Sequence, residues 1–255
     1  MLAPFQEALS TFMRYVQLEK NFSVHTVREY EFDLKEFFLF LEAEGVSSLD
    51  DVEYIHARLY ITKLYDEKKA RTSISRKISS IRSFFKFANR EFNLDDSPFR
   101  SLYHPKKEER LPNFFYEEEL HVLFEKNEGE DPKSIRNLAI LELLYATGIR
   151  VSELVSIEMN QIDFSYNIIR VMGKGRKERI VPFGSFASDA LVQYCDEVRP
   201  KLMKKTQHNK LFVNMRGGEL TDRGVRHILK EMIEKASLTS KIYPHMLRHT
   251  FATHL

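Results

Sequence analysis

The chain has 255 residues, and among them there is no tryptophan and a single cysteine, Cys195. One thiol excludes an intrachain disulfide, and with it the disulfide-stapled class of small secreted domains. The opening stretch "MLAPFQEALSTFMRYVQLEK" carries no signal-peptide pattern, so a reducing, cytoplasmic setting is expected. No apolar run approaches the roughly 20 residues that a helix needs to cross a bilayer. The longest candidate, "LAILELLYA", is interrupted by Glu142. Internal repeats and low-complexity tracts are missing too. Net charge is scarce, since 39 Lys and Arg almost balance 37 Asp and Glu, and +2 identifies no partner. What remains, 43% hydrophobic and 30% charged residues, is the composition of a soluble globular protein with one large or two ordinary domains.

Acids are absent from one particular place. From Lys68 to Arg90 there are eight basic residues (Lys68, Lys69, Arg71, Arg76, Lys77, Arg82, Lys86 and Arg90) and no Asp or Glu. Ile74, Ile78, Ile81, Phe85 and Ala88 recur at helical spacing, which predicts one buried face. The opposite face combines bases with Ser75, Ser79, Ser80 and Ser83. Ordinary surface helices mix charges to gain i,i+4 pairs, and this one holds no acid of its own. Lys and Arg beside short hydroxyls suit a phosphate backbone, so nucleic-acid contact is expected here. A second basic cluster, "RVMGKGRKER" at 170–179, holds Arg170, Lys174, Arg176, Lys177 and Arg179 against Glu178.

Periodicity predicts four helices in the first part, at about 4–19, after Ser23 and up to Gly45, at about 51–68, and through the basic stretch. Three prolines in "NLDDSPFRSLYHPKKEERLPNFF" then mark an extended linker. The expected division is 1–103 as a helical domain, 104–112 as linker and 113–255 as a second domain. That second domain opens with a helix near 117–127, followed by "IRNLAILELLYATG", apolar nearly all round and therefore a central buried helix. Two β-rich runs, 168–172 and 179–183, flank a Gly-rich basic loop and predict a hairpin. Further helices are expected at about 185–198, at 221–236 and from Pro244.

Few residues are suited to chemistry. Arg150 in "YATGIRVSEL" sits at a helix–Gly–helix corner, where pairing with Glu153 three residues on is the simplest local account. Lys174 lies between two glycines at the hairpin tip, which fits either close approach to a ligand or an ordinary turn. In "YPHMLRHTFATHL", Pro244 suits a first helical position, so His245 and Arg248 share a face. His249 would allow a zinc pair with His245, but no third ligand is apparent and Arg248 would crowd a cation, so no metal is expected. A buried structural role for His245 is the plainer alternative. Two Arg, one Lys and one His form a set suited to metal-free phosphoryl transfer.

"ATGIRVSEL", "GKGRKERIVPFG" and "PHMLRHTFATHL" together resemble the three successive signatures of the tyrosine recombinases (phage integrases), in particular the bacterial Xer-type branch. "SVHTVREYEFDLKEFFLFL" and "SISRKISSIRSFFKF" resemble the core-binding domain of that family, and "PKKEERLP" its linker. The resemblance covers nearly the whole chain. It implies a mainly α fold, with a four-helix, SAM-like core-binding domain and a mostly helical catalytic domain that contains a small antiparallel sheet. Arg150 and Arg248 match the phosphate-clamping arginines, Lys174 the lysine that protonates the leaving 5′ oxygen, and His245 the histidine that assists proton transfer. The implied reaction is DNA strand exchange through a 3′-phosphotyrosyl intermediate, with no cofactor. The implied partners are a short pseudo-palindromic duplex site, a second recombinase copy or paralogue in a tetrameric synapse, and a septal DNA translocase. Contact with that duplex is expected from Thr26, Arg28, Ser73, Ser75, Arg76, Lys77, Ser80, Arg82, Arg176 and Lys177.

The family pattern continues with a further His or Trp and the nucleophilic Tyr beyond His-x-x-Arg. All eleven tyrosines of this chain lie at or before Tyr243, and none matches that position. The chain ending at Leu255 is therefore expected to bind DNA without cleaving it. A transposon or phage integrase, or a catalytically dead DNA-binding relative, is the alternative. A metal-dependent nuclease would need clustered carboxylates near the basic face.

Overall fold

The structure is a computed structural model that describes residues 1–94, 97–105, 115–173, 177–203, 207–237 and 244–254. The chain divides into two compact units, Met1–Glu109 and Arg110–Leu255. Each has its own hydrophobic core.

In the first unit, helix α1 (Ala3–Arg14) buries Phe5, Ala8, Leu9 and Phe12, the i, i+3, i+4, i+7 stripe of an amphipathic helix. It widens into a π-helical turn over Tyr15–Glu19. Helix α2 (Val24–Ala43) starts where the Ser23 hydroxyl accepts the Thr26 amide at 3.2 Å, and Gly45 closes it in the left-handed region at φ 82°. Helices α3 (Tyr54–Asp66) and α4 (Arg71–Phe92) complete the unit. Phenylalanine is the commonest residue of its core. Phe5 stacks on Phe38 at 5.1 Å, and Phe37 meets Tyr60, Phe85 and Phe99 edge-on.

The basic helix α4 differs from the expectation in one respect. Its missing acids are supplied by α2. Asp33, wholly buried, accepts from Arg76, from Lys77 Nζ at 3.1 Å and from Ser80 Oγ at 3.0 Å. Glu36 takes Lys77 Nζ at 3.0 Å and the Tyr60 hydroxyl at 3.2 Å, and Glu29 takes Arg76 at 3.0 Å. Lys77 is 3% exposed and Ser80 0%, so neither lies on a surface face. A buried ammonium must find carboxylates, and these lie on the helix packed against it. Arg82 also folds back, donating Nε to the Phe99 carbonyl at 2.8 Å and a terminal nitrogen to the Leu102 carbonyl.

The second unit is built around α6 (Pro132–Thr147), capped by Asp131, whose carboxylate accepts the Lys133 and Ser134 amides. Buried residues occur all around it, from Ile135 to Thr147. Helices α5 (Glu117–Asn127), α8 (Ser185–Gln193), α10 (Asp222–Lys235) and α11 (Pro244–His254) pack against α6. Between them run the short α7 (Val151–Ser156) and an antiparallel sheet of β1 (Ile162–Asp163), β2 (Ile168–Met172) and β3 (Glu178–Pro182), in that order. The hairpin register pairs Met172 with Glu178 and Ile168 with Pro182, so β3 begins one residue before the expected 179. The two-residue β1 carried no sequence signal of its own. After α8 the chain continues through a π-helical turn (Tyr194–Val198) into the four-residue α9 (Arg199–Leu202). Residues 106–114, which hold most of the expected linker, lie outside the described residues.

Candidate active site

The site grows from the corner between α6 and α7. Gly148 ends α6 at φ 55°, and a Cβ there would lie 2.4 Å from Cδ1 of Phe251 on α11. Only glycine permits both the left-handed turn and this approach. One turn before Phe251 on the same helix, Arg248 donates Nη1 to the Gly148 carbonyl oxygen at 2.6 Å. Two residues beyond Gly148, Arg150 caps the start of α7. Chain topology thus brings Arg248 and Arg150 to the two sides of one backbone corner.

Arg150 makes the local pair foreseen from its spacing. Its amide donates to Glu153 Oε2 at 2.8 Å and its Nη1 to Oε1 at 3.0 Å, while its side chain stays 47% exposed. Glu153 itself is 5% exposed. Arg179 from β3 holds both of its oxygens, Nη1 to Oε1 at 3.0 Å and Nη2 to Oε2 at 2.8 Å. Burial works to raise the Glu153 carboxyl, but these hydrogen bonds and charges outweigh it and hold the group at about 2. The same pairing raises Arg179 above its ordinary value. An open groove of about 420 Å³ adjoins the cluster, lined among the described residues by Arg150, Ser152, Glu153, Met172 and Gly173.

Lys174 and Arg176 lie outside the described residues. The described residues that flank them are joined by a hydrogen bond from the Gly173 amide to the Lys177 carbonyl at 2.8 Å, and Gly173 lines that groove. His245 is the second residue of α11, three before Arg248; its side chain lies outside the description, as does Tyr243. His249 is exposed on α11, and among the described residues no three His, Cys, Asp or Glu side chains gather as a metal site would need.

Residues expected to meet DNA divide into two groups. Arg28 and Lys177 are exposed, and Thr26 and Ser73 half-buried. Ser75 is paired with His104 at 2.9 Å, Arg76 with Glu29 and Asp33, and Arg82 with main-chain carbonyls. Lys77 and Ser80 are turned into the core of the first unit, because Asp33 requires them there. Sequence reading missed Arg179 as a partner of the corner and counted it only within the basic cluster. The available signal was strand alternation, which sets Arg179 and Val181 on the more covered side of β3.

Residues 113–255 match the Phage integrase family, and residues 9–92 match the phage integrase N-terminal SAM-like domain. The chain is 49% identical over 249 residues to the tyrosine recombinase XerC of Oceanobacillus iheyensis, covering 97% of this chain and 82% of that one. It is 46% identical to the XerC of Bacillus subtilis, covering 96% and 81%. Among solved structures it resembles the XerA recombinase at 28% identity, with a TM-score of 0.51 and coverage of 98% and 84%. The XerH site-specific recombinase, solved bound to its palindromic difH substrate, shares the fold at a TM-score of 0.71 and 19% identity, with coverage of 96% and 72%. The chain belongs to the phage integrase family as a Xer-type tyrosine recombinase, a site-specific DNA strand transferase.

Proposed function

We propose that Arg150, Lys174, His245 and Arg248 act together on one phosphodiester of a short pseudo-palindromic duplex site, and that the protein resolves chromosome or plasmid dimers at cell division. The observation that carries this reading is the hydrogen bond from Arg248 to Gly148, which sets one arginine against the corner that orients the other. Two guanidinium groups so placed can clamp both non-bridging oxygens and stabilise the added charge of a pentacoordinate transition state. Lys174 protonates the leaving 5′ oxygen, and His245 assists the proton transfer. Attack by a tyrosine gives a 3′-phosphotyrosyl bond that keeps the energy needed for rejoining, so no cofactor is consumed. The exposed Arg28 and Lys177, with Thr26, Ser73, Ser75, Arg76, Arg82 and Arg176, hold the duplex. The working assembly is a tetrameric synapse of this chain or of this chain with a paralogue, activated by a septal DNA translocase in the cytoplasm. The XerH complex with its substrate supports a DNA partner.

A suicide duplex tests the reading. The 255-residue chain is expected to bind without forming a covalent adduct, since none of its eleven tyrosines matches the family nucleophile. The chain extended to the length of its relatives is expected to form one. In that protein Arg150→Ala or Arg248→Ala should slow cleavage by about 10²–10³-fold, the scale of losing one preorganised charge partner. Cleavage unchanged by Arg150→Ala would overturn the assignment.

A further inference from the structure

Arg179 is a charged group in contact with this corner to which the four-residue reading gives no task. Alternate residues of a strand face opposite sides, and its neighbours Glu178 and Ile180 are exposed while Arg179 turns toward Glu153. Both terminal nitrogens meet both carboxylate oxygens, the fork-to-fork arrangement of a strong arginine–carboxylate pair. The same two oxygens also receive the Arg150 amide and guanidinium. A buried carboxylate touching Arg150 alone would cancel the charge that a phosphate needs to meet. With Arg179 present, two cations share one anion, and the cluster keeps one net positive charge on the groove side, where the Arg150 side chain is 47% exposed.

A second observation ties Arg179 to the loop. A Cβ on Gly173 would lie 2.9 Å from Arg179 Nη1 and 3.4 Å from the Lys177 carbonyl oxygen. The residue just before Lys174 is therefore small where the guanidinium passes on its way to Glu153.

We propose that Arg179 is a positioning residue for strand cleavage: it takes up the charge of Glu153 so that Arg150 can engage a phosphodiester, and it moors the base of the β2–β3 loop at the Arg150 corner. The inference rests on the reading that Arg150 clamps the scissile phosphate.

The test uses single-turnover cleavage of a suicide duplex by the chain extended to the length of its relatives, with duplex Kd and Tm measured alongside. Arg179→Gln is expected to slow cleavage by about 10- to 100-fold, the scale on which outer partners of a functional group act. Duplex Kd should change less than threefold. Arg179→Lys, which keeps the charge but not the fork, should fall between. The deciding variant is Arg179→Gln with Glu153→Gln. Removing the acid restores the net charge of the corner, so the double variant should cleave faster than Arg179→Gln alone. A purely structural arginine would give a double variant no faster than the single one, and that result overturns the proposal, as does an Arg179→Gln rate within twofold of the parent. If Arg150→Ala itself leaves cleavage unchanged, the assignment of Arg150 has failed first, and the two failures are told apart in one series.

Discussion

Arg248 and Gly148 stand 100 positions apart in the sequence, and the guanidinium of one rests on the main-chain oxygen of the other at 2.6 Å. The contact forms because Gly148 presents no side chain and turns left-handed, which lets α11 press Phe251 and Arg248 onto the end of α6.

Gly148→Ala is accordingly expected to destabilise the second unit by about 2–4 kcal/mol, the joint effect of a left-handed non-glycine residue and an overpacked contact. Urea unfolding measures it. Phe251→Leu in the same background should recover part of the loss, because it withdraws the ring atom lying 2.4 Å from the new methyl group. An unfolding midpoint equal to that of the parent would show that the corner does not depend on glycine.

Lys77→Met should lower stability by about 3 kcal/mol, the low end for breaking a buried ion pair, because Arg76 and Ser80 still face Asp33. Its effect on DNA should be small. The slope of log Kd against log salt is expected to match that of the parent, since a phosphate contact would remove about one unit from it. A shallower slope would return Lys77 to the DNA-contacting set.

Two carboxylates of the second unit give opposite pH signatures. Glu153 titrates at about 2 in the folded protein, below its ordinary value, so its stabilisation is present above the ordinary range and is lost as pH falls from about 4.5 toward 2. Glu142 on α6 is pushed up to about 7 by burial, so the fold favours its protonated form and loses stability as pH rises from about 4.5 to 7. Glu142→Gln should raise Tm at pH 8 and leave it nearly unchanged at pH 4, whereas Glu153→Gln should lower Tm at pH 7 and matter least near pH 2. Thermal melts across that range check both, and a Glu142→Gln protein with the parent's pH dependence would refute the first.

What was legible in the sequence was what local chemistry dictates. Ser23 announced a helix start, Gly45 and Gly148 announced ends, and β-rich runs around a Gly-rich loop announced the hairpin. Glu153 as partner of Arg150 was legible too, because helical spacing places residues i and i+3 together. Long-range pairing was not. The acids that neutralise α4 lie more than 40 positions away on α2, and Arg179 reaches Glu153 across 26. A helix without acids therefore read as unpaired, although its partners came from the helix packed against it. Packing chooses such partners, and no single-segment period encodes them.

The aromatic content of the two cores has a spectroscopic consequence. With no tryptophan in the chain, tyrosine dominates its near-ultraviolet absorbance and emission. Tyr60 lies wholly buried in the first unit and Tyr194 in the second. Burial raises both phenols, Tyr194 to about 12 and Tyr60 further, whereas Tyr103 and Tyr166 are open to solvent. In an alkaline titration Tyr60 and Tyr194 therefore ionise late, one in each core, and replacing either by Phe removes the contribution of a single unit to the late phenolate signal.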